Sequence, residues 1–276
     1  MDRVLLLHSS ASSARQWDAL AQLLAPHHEV HAIDLHGHGA QPAWSASAPM
    51  ALADEAALAA PLLRGTRGVH LVGHSYGGAV ALKLAALHPQ LVRSVVVYEP
   101  VAFRLLFEDT ASHAEVNEVL TLVVDLHERL AHGDLHAAAQ RFVSYWSGAA
   151  AWDAMPTARR AAVAARMPSV RRHFDAVFAE RPARIDGAVR TLCLSGVDTA
   201  ASTRRIGQLL RHALPQASHE RLPDMGHMGP LTHGPVVNRR IASFLDERRE
   251  RASLSAPTPQ SAVLPSLGAE HALTRA

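Results

Sequence analysis

Lysine is almost missing from this chain of 276 residues. Lys83 is the only one, so nearly all positive charge is arginine, and the formal net charge is just +2. No basic stripe with interleaved aromatics appears, which argues against a nucleic-acid partner. Cys193 is the only cysteine, which excludes an internal disulfide and is compatible with a reducing compartment. Long hydrophobic runs are missing too. Val4-Leu5-Leu6-Leu7 stops at His8, too short for a signal-peptide core, and no segment approaches the ~18 apolar residues of a membrane span. There are no internal repeats. These absences predict a soluble, cytoplasmic protein, with no membrane partner and with its oligomeric state left open. What is present is a 48% hydrophobic composition, enough for one sizeable core or one domain with an insertion.

Apolar runs alternate with helical patterns. Val4–Leu7 reads as a buried strand, followed by the polar loop 8–13 and a helix carrying Trp17, Leu20, Leu23 and Leu24, stopped by Pro26. Val30–Asp34 is the next strand and enters the turn Leu35-His36-Gly37-His38-Gly39. A helix over Ala51–Ala60 precedes the strand Val69–Val72, and Val92–Tyr98 is a further strand that ends at Glu99-Pro100. From Val101 to Pro182 only helical segments appear: Val116–Leu130, Leu135–Trp146, Thr157–Arg166 and Val170–Ala179. Strand patterning resumes at Val189–Leu194 and Ser218–Leu222, with a helix between them and a closing helix over Val236–Arg249. The alternation predicts an α/β fold with a mostly parallel, doubly wound sheet of about six strands. Residues 1–100 and 183–250 would form the core, 101–182 a helical lid, and 251–276, rich in Ala, Ser and Pro, a disordered tail.

The densest signal is Gly73-His74-Ser75-Tyr76-Gly77, a G-x-S-x-G sequence between an apolar strand and a long Ala/Leu helix. A serine raised on a sharp strand-to-helix turn needs small residues two before and two after it, because the strand and helix approach too closely for side chains there. The helix start also directs free N–H groups at the serine. A serine hydroxyl is protonated at neutral pH and needs a base to become a nucleophile. His227 lies between Gly226 and Met228 on the loop after the last strand, and is the candidate.

In these features the chain resembles the α/β-hydrolase fold family over roughly residues 3–249. The elbow serine, an acid after a later strand and Gly226-His227 follow one another in that family's order. The resemblance implies Ser75 as nucleophile, His227 as general base and an acid on the other nitrogen of the His227 ring. Asp198, just beyond the strand Val189–Leu194, is the first candidate acid. It stands one residue earlier than the G-x-x-D spacing counted from Gly196, which falls on Thr199. Glu99 is the alternative, since some members take the acid from the strand after the elbow helix. The oxyanion donors implied are the backbone N–H groups of Tyr76 and Ser10, the latter in His8-Ser9-Ser10 where members usually carry His-Gly. Members also usually have two antiparallel strands before the first one here, so either the sheet is trimmed to about six strands or the chain begins late in its gene.

His36-Gly37-His38 has a metal-ligand spacing, but no further His or Asp follows it closely, and His70 and His74 do not share a helix face, so no metal and no cofactor is expected. The reading is a serine hydrolase of a small, largely apolar ester, thioester or related carbonyl substrate. The alternatives are a non-catalytic receptor on the same fold, an acyltransferase, or a cofactor-free haloperoxidase using the same triad.

Overall fold

A computed structural model describes residues 1–254 except 67, 181–184 and 186. The expected tail from residue 255 onward lies outside the described residues. Met1–Leu245 form one compact unit, and a second unit begins at Asp246.

The chain runs β1 (Asp2–Leu7), α1 (Asp18–Leu24), β2 (His28–Ile33), α2 (Leu52–Ala59), β3 (Val69–His74), α3 (Tyr76–Leu87) and β4 (Val92–Tyr98). Five helices follow: α4 (Arg104–Glu108), α5 (His113–Ala131), α6 (Leu135–Ser147), α7 (Ala149–Asp153) and α8 (Thr157–Ala179). Then come β5 (Arg190–Gly196), α9 (Ala201–Ala213), β6 (Ser218–Leu222), α10 (Gly229–Thr232) and α11 (Gly234–Leu254).

The six strands form one sheet in the order β2-β1-β3-β4-β5-β6. Every pairing in it is parallel. Each central strand is buried on both faces, as parallel strands covered by helices must be. Leu5, Leu7 and Leu71 pack with α2, α3 and α9 through Ala56, Val80 and Ile206. Val4, Leu6 and Val72, pointing the other way, pack with α1 and α11 through Leu20, Leu24, Val237 and Ile241. The register His74↔Tyr98 and Tyr98↔Leu194 brings the carboxyl ends of β3, β4 and β5 level. Side chains that follow those strands therefore converge on one edge.

The helical stretch between β4 and β5 departs from expectation at one point. The break expected between residues 166 and 170 is absent, and α8 continues through Pro168. Proline inside a helix removes one hydrogen bond and costs ~3 kcal/mol. Here Met167, Val170, Phe174 and Val177 are all buried on the core side of the helix, and their burial, ~1.5–3 kcal/mol each, outweighs that cost. Among the described residues no helix is long and apolar enough to cross a membrane.

Candidate active site

Ser75 sits between β3 and α3 with φ +55° and ψ −117°, a conformation that L-residues avoid. Its N–H donates to the Tyr98 carbonyl at 3.0 Å and its carbonyl accepts from Val101 N–H at 3.3 Å, so neighbouring backbone holds the turn. The flanking glycines are sterically required. A Cβ on Gly73 would lie 2.3 Å from the Gly77 carbonyl oxygen, and one on Gly77 would lie 2.4 Å from that of Leu7.

His227 meets Ser75 and Glu99 together. The Ser75 hydroxyl donates to His227 Nε2 at 2.9 Å, and His227 Nδ1 donates to Glu99 Oε2 at 2.8 Å. Glu99, fully buried at the end of β4 with φ +43°, also accepts from Gly196 N–H at 2.8 Å and from the Thr199 hydroxyl at 2.9 Å. With these donors on the carboxylate, His227 Nδ1 keeps its proton and Nε2 is the acceptor.

Asp198 is not at this position, which corrects the first choice of acid. Its side chain is exposed at the rim of the cavity, while its N–H bonds the Met225 carbonyl. The inward-facing residue after β5 is Thr199, and a threonine there supports a carboxylate from the adjacent strand. Glu99, the alternative, is the carboxylate in contact with His227.

The loop carrying His227 is fixed from two sides. The Tyr98 hydroxyl donates to the Gly226 carbonyl at 2.7 Å, and His74 Nε2 donates to the His227 carbonyl at 2.8 Å. His74 Nδ1 accepts from Gln16 Nε2 at 3.1 Å, and Gln16 Oε1 accepts from both the N–H and the hydroxyl of Ser9, at 3.1 and 2.9 Å. A continuous chain of hydrogen bonds thus ties the loop after β1 to the loop bearing His227. It also occupies the Ser9 N–H and leaves Ser10 as the next donor along that loop. Tyr76 is the first residue of α3, so its N–H has no intrahelical partner. The sequence reading did not single out Gln16 and weighed His74 only as half of a metal-ligand spacing; their partners lie 58 and 153 residues away along the chain.

A second buried polar group lies behind Ser10. The Ser10 hydroxyl meets His173 Nδ1 at 2.8 Å, and His173 stacks on the Tyr76 ring at 3.7 Å and 4°. His173 Nε2 lies 3.7 Å from Glu55 Oε1, beyond hydrogen-bond reach. His38 stacks on the other side of His173 at 4.8 Å, and His8 lies 5.3 Å from His38. Burial keeps these rings neutral, reinforced by neighbouring histidines for His8, His173 and His74 and by the Arg166 charge for His38. It lowers His8 to about 3 and His38 to about 4, and pushes His173 and His74 well below the ordinary histidine value. Burial raises Glu55. His8 Nε2 accepts from Leu35 N–H and His38 Nε2 from Ala11 N–H, each at 3.0 Å, while His36 Nδ1 bonds Glu55 Oε2 at 3.0 Å. The His-x-His turn is therefore committed to structure. Among the described residues no three His, Cys, Asp or Glu side chains group to hold a metal ion.

Ser75 and His227 open onto a cavity of about 960 Å³, lined on its far side by α6 to α8. Trp146 of α6 stacks on the His227 ring at 3.8 Å. A narrow apolar recess between Ser75 and Phe103, Phe142 and Phe174 adjoins it.

Comparison with known proteins shows the family. The alpha/beta hydrolase family matches residues 4–240. The chain belongs to that family. RutD of Variovorax paradoxus (strain S110), whose name provisionally assigns it carbamate hydrolysis, is 30% identical over 93% of this chain and 94% of its own. Lipase LipV of Mycobacterium tuberculosis (strain H37Rv) is 44% identical, but the match spans 36% of this chain and 37% of LipV. Among solved structures, MGS-M2, an alpha/beta hydrolase enzyme from a Medee basin deep-sea metagenome library, superposes with a TM-score of 0.71 at 18% identity, covering 88% of this chain and 89% of its own. That likeness is one of fold.

Proposed function

We propose that this protein is a serine hydrolase acting on a small ester, thioester or related carbonyl compound whose acyl part is largely apolar. The observation that carries the reading is the unbroken relay from Glu99 through His227 to Ser75, at 2.8 and 2.9 Å. Membership of a family whose relatives are named as esterases and lipases supports it.

In the first half-reaction the Ser75 oxygen bonds to the substrate carbonyl carbon as its proton passes to His227 Nε2. The carbonyl oxygen becomes an oxyanion, which the N–H groups of Tyr76 and Ser10 hold, each worth ~3 kcal/mol of barrier. Glu99 fixes the ring and stabilises the imidazolium. The carbon–leaving-group bond then breaks as His227 returns the proton to the departing oxygen or sulfur. Water repeats the sequence on the acyl-enzyme and releases the acid. Helices α4 to α8 act as the lid, with Trp146 packed over His227. The unbroken row of hydrogen bonds supports catalysis over a receptor role.

The test is labelling with a fluorophosphonate followed by peptide mass spectrometry. Rapid modification at Ser75, lost in His227→Ala, is the expected result. A folded protein that stays unlabelled, or one labelled at the same rate without His227, would overturn the reading.

A further inference from the structure

The cavity is unevenly charged. Arg15, Arg159 and Arg166 line it, and Asp198 is the sole carboxylate among its lining residues. Elsewhere arginines meet carboxylates directly: Arg93 pairs with Asp2, Arg141 with Asp125, Arg205 with Asp109 and Arg240 with Glu220. Among the described residues, none of the three cavity arginines has a carboxylate within ion-pair distance. The partly buried Arg166 donates only to the Ala11 carbonyl, at 2.9 Å.

Their spacing is orderly. Arg159, Ala162, Val163 and Arg166 all line the cavity, at i, i+3, i+4 and i+7 on α8. That spacing is one helix face, so the two guanidinium groups stand two turns apart with only small or aliphatic side chains between them. Arg15 is contributed by the short helical turn Ala14–Trp17, just after the loop bearing Ser10. The buried histidines behind that loop are neutral and add no competing charge. Uncompensated guanidinium groups around a concave surface attract anions and bind carboxylate or phosphate in forked geometry.

We propose that the mouth of this cavity holds an anionic group of the substrate, a carboxylate or a phosphate, on Arg15, Arg159 and Arg166. The substrate would then have two ends: an apolar acyl segment against the Phe-lined recess beside Ser75, and a charged end at the arginines. This rests on the serine-hydrolase reading for its reaction, but the binding step stands without it.

Two substrate pairs separate the two sources of charge. Mono-4-nitrophenyl glutarate against 4-nitrophenyl butanoate puts a carboxylate on the acyl side. Butanoyl-coenzyme A against the butanoyl thioester of N-acetylcysteamine puts phosphates on the leaving-group side. In one pair the charged member should have a kcat/KM about tenfold higher at low salt, and the ratio should fall severalfold in 0.5 M NaCl, where the screening length is only a few ångströms. The charged-to-neutral ratio should also fall at least about fivefold in Arg159→Ala and in Arg15→Ala, as for lost phosphate or carboxylate contacts. Charged and neutral members equal within about twofold in both pairs, or a preference that survives both substitutions, would overturn the proposal. Calorimetric binding of coenzyme A and of glutarate reads the site without turnover. Arginine-dependent binding with no ester cleaved would keep this inference and remove the hydrolase reading. Cleavage of neutral esters with no such binding would do the reverse.

Discussion

Two Glu–His–Ser rows meet at this cavity, and the structure treats them very differently. In Glu99–His227–Ser75 both links are hydrogen bonds, at 2.8 and 2.9 Å. In Glu55–His173–Ser10 the inner link is a bond of 2.8 Å, but the outer separation is 3.7 Å. Their carboxylates differ in how closely they are held and by which histidine. Glu99 has a backbone N–H and a hydroxyl aimed at it in addition to His227. Glu55 also has a backbone N–H and a hydroxyl on it, from His36 at 3.3 Å and Tyr76 at 3.5 Å, but these are longer. Its histidine partner is the His36 ring at 3.0 Å and not His173, and burial works against its charge. The histidines differ too. His227 has one face at the cavity beneath Trp146, whereas His173 is enclosed between Tyr76 and His38. The same residue types thus make an unbroken hydrogen-bonded row in one place and a packed scaffold in the other. Which histidine the carboxylate bonds, and access to that histidine, decide the outcome.

The sharpest way to break this comparison is to neutralise each carboxylate in turn. Glu99→Gln should lower kcat by roughly 10²–10⁴, as loss of a triad acid does. Glu55→Gln should lower it less than about tenfold and show its effect mainly as lost stability. Steady-state ester kinetics beside a urea melt checks both, and equal kinetic losses would erase the distinction.

A smaller kinetic effect is expected from Gln16→Ala. The substitution leaves the Ser9 N–H and His74 Nδ1 unpaired in the interior, ~1–3 kcal/mol each, and loosens two loops at once. A fall of about tenfold in kcat with little change in KM is the expected signature. A change confined to KM would mean that Gln16 touches substrate instead.

The scaffold row should appear in acid. His8, His38, His173 and His74 all have folded values below the unfolded histidine value of 6.5. Their contribution is therefore complete above about pH 6.5 and is lost as pH falls toward about 4, where the unfolded chain binds protons that the folded chain refuses. Glu55, shifted upward, runs in the opposite sense but is one group against four. Unfolding free energy should fall steadily from pH 6.5 to 4.5, and a flat profile over that window contradicts neutral buried rings.

The smallest effect belongs to Asp198. Asp198→Asn should alter kcat on a neutral ester by no more than about twofold, since the side chain is exposed and makes no contact with His227. A loss near a hundredfold would return the acid role to it.

How much of this could be read from the sequence follows from the range of the interactions. Strands and the serine turn are local: Val69–Val72, Gly73 and Gly77 announce themselves by pattern and spacing, and the pairing of Ser75 with His227 follows from strand order. The acid is not local. Asp198 and Glu99 each end a strand, and only the inward turn at Thr199 separates them. Gln16, His173 and Glu55 gave no sequence signal, and His74 gave only a metal-ligand spacing that led nowhere, because their partners come from distant segments and a buried neutral histidine has no distinctive neighbours in the chain. Pro168 misled in the other direction, since tertiary burial of Met167 and Val170 overrode a local rule.

The central claim is that the Glu99 row, and not the Glu55 row, activates a serine. Rates of fluorophosphonate modification, with the modified peptide identified, measure it directly. The account predicts modification at Ser75 alone, slowed at least about a hundredfold in Glu99→Gln and within about tenfold of wild type in Glu55→Gln. Modification at Ser10, or a rate that collapses in Glu55→Gln while Glu99→Gln reacts normally, would contradict it.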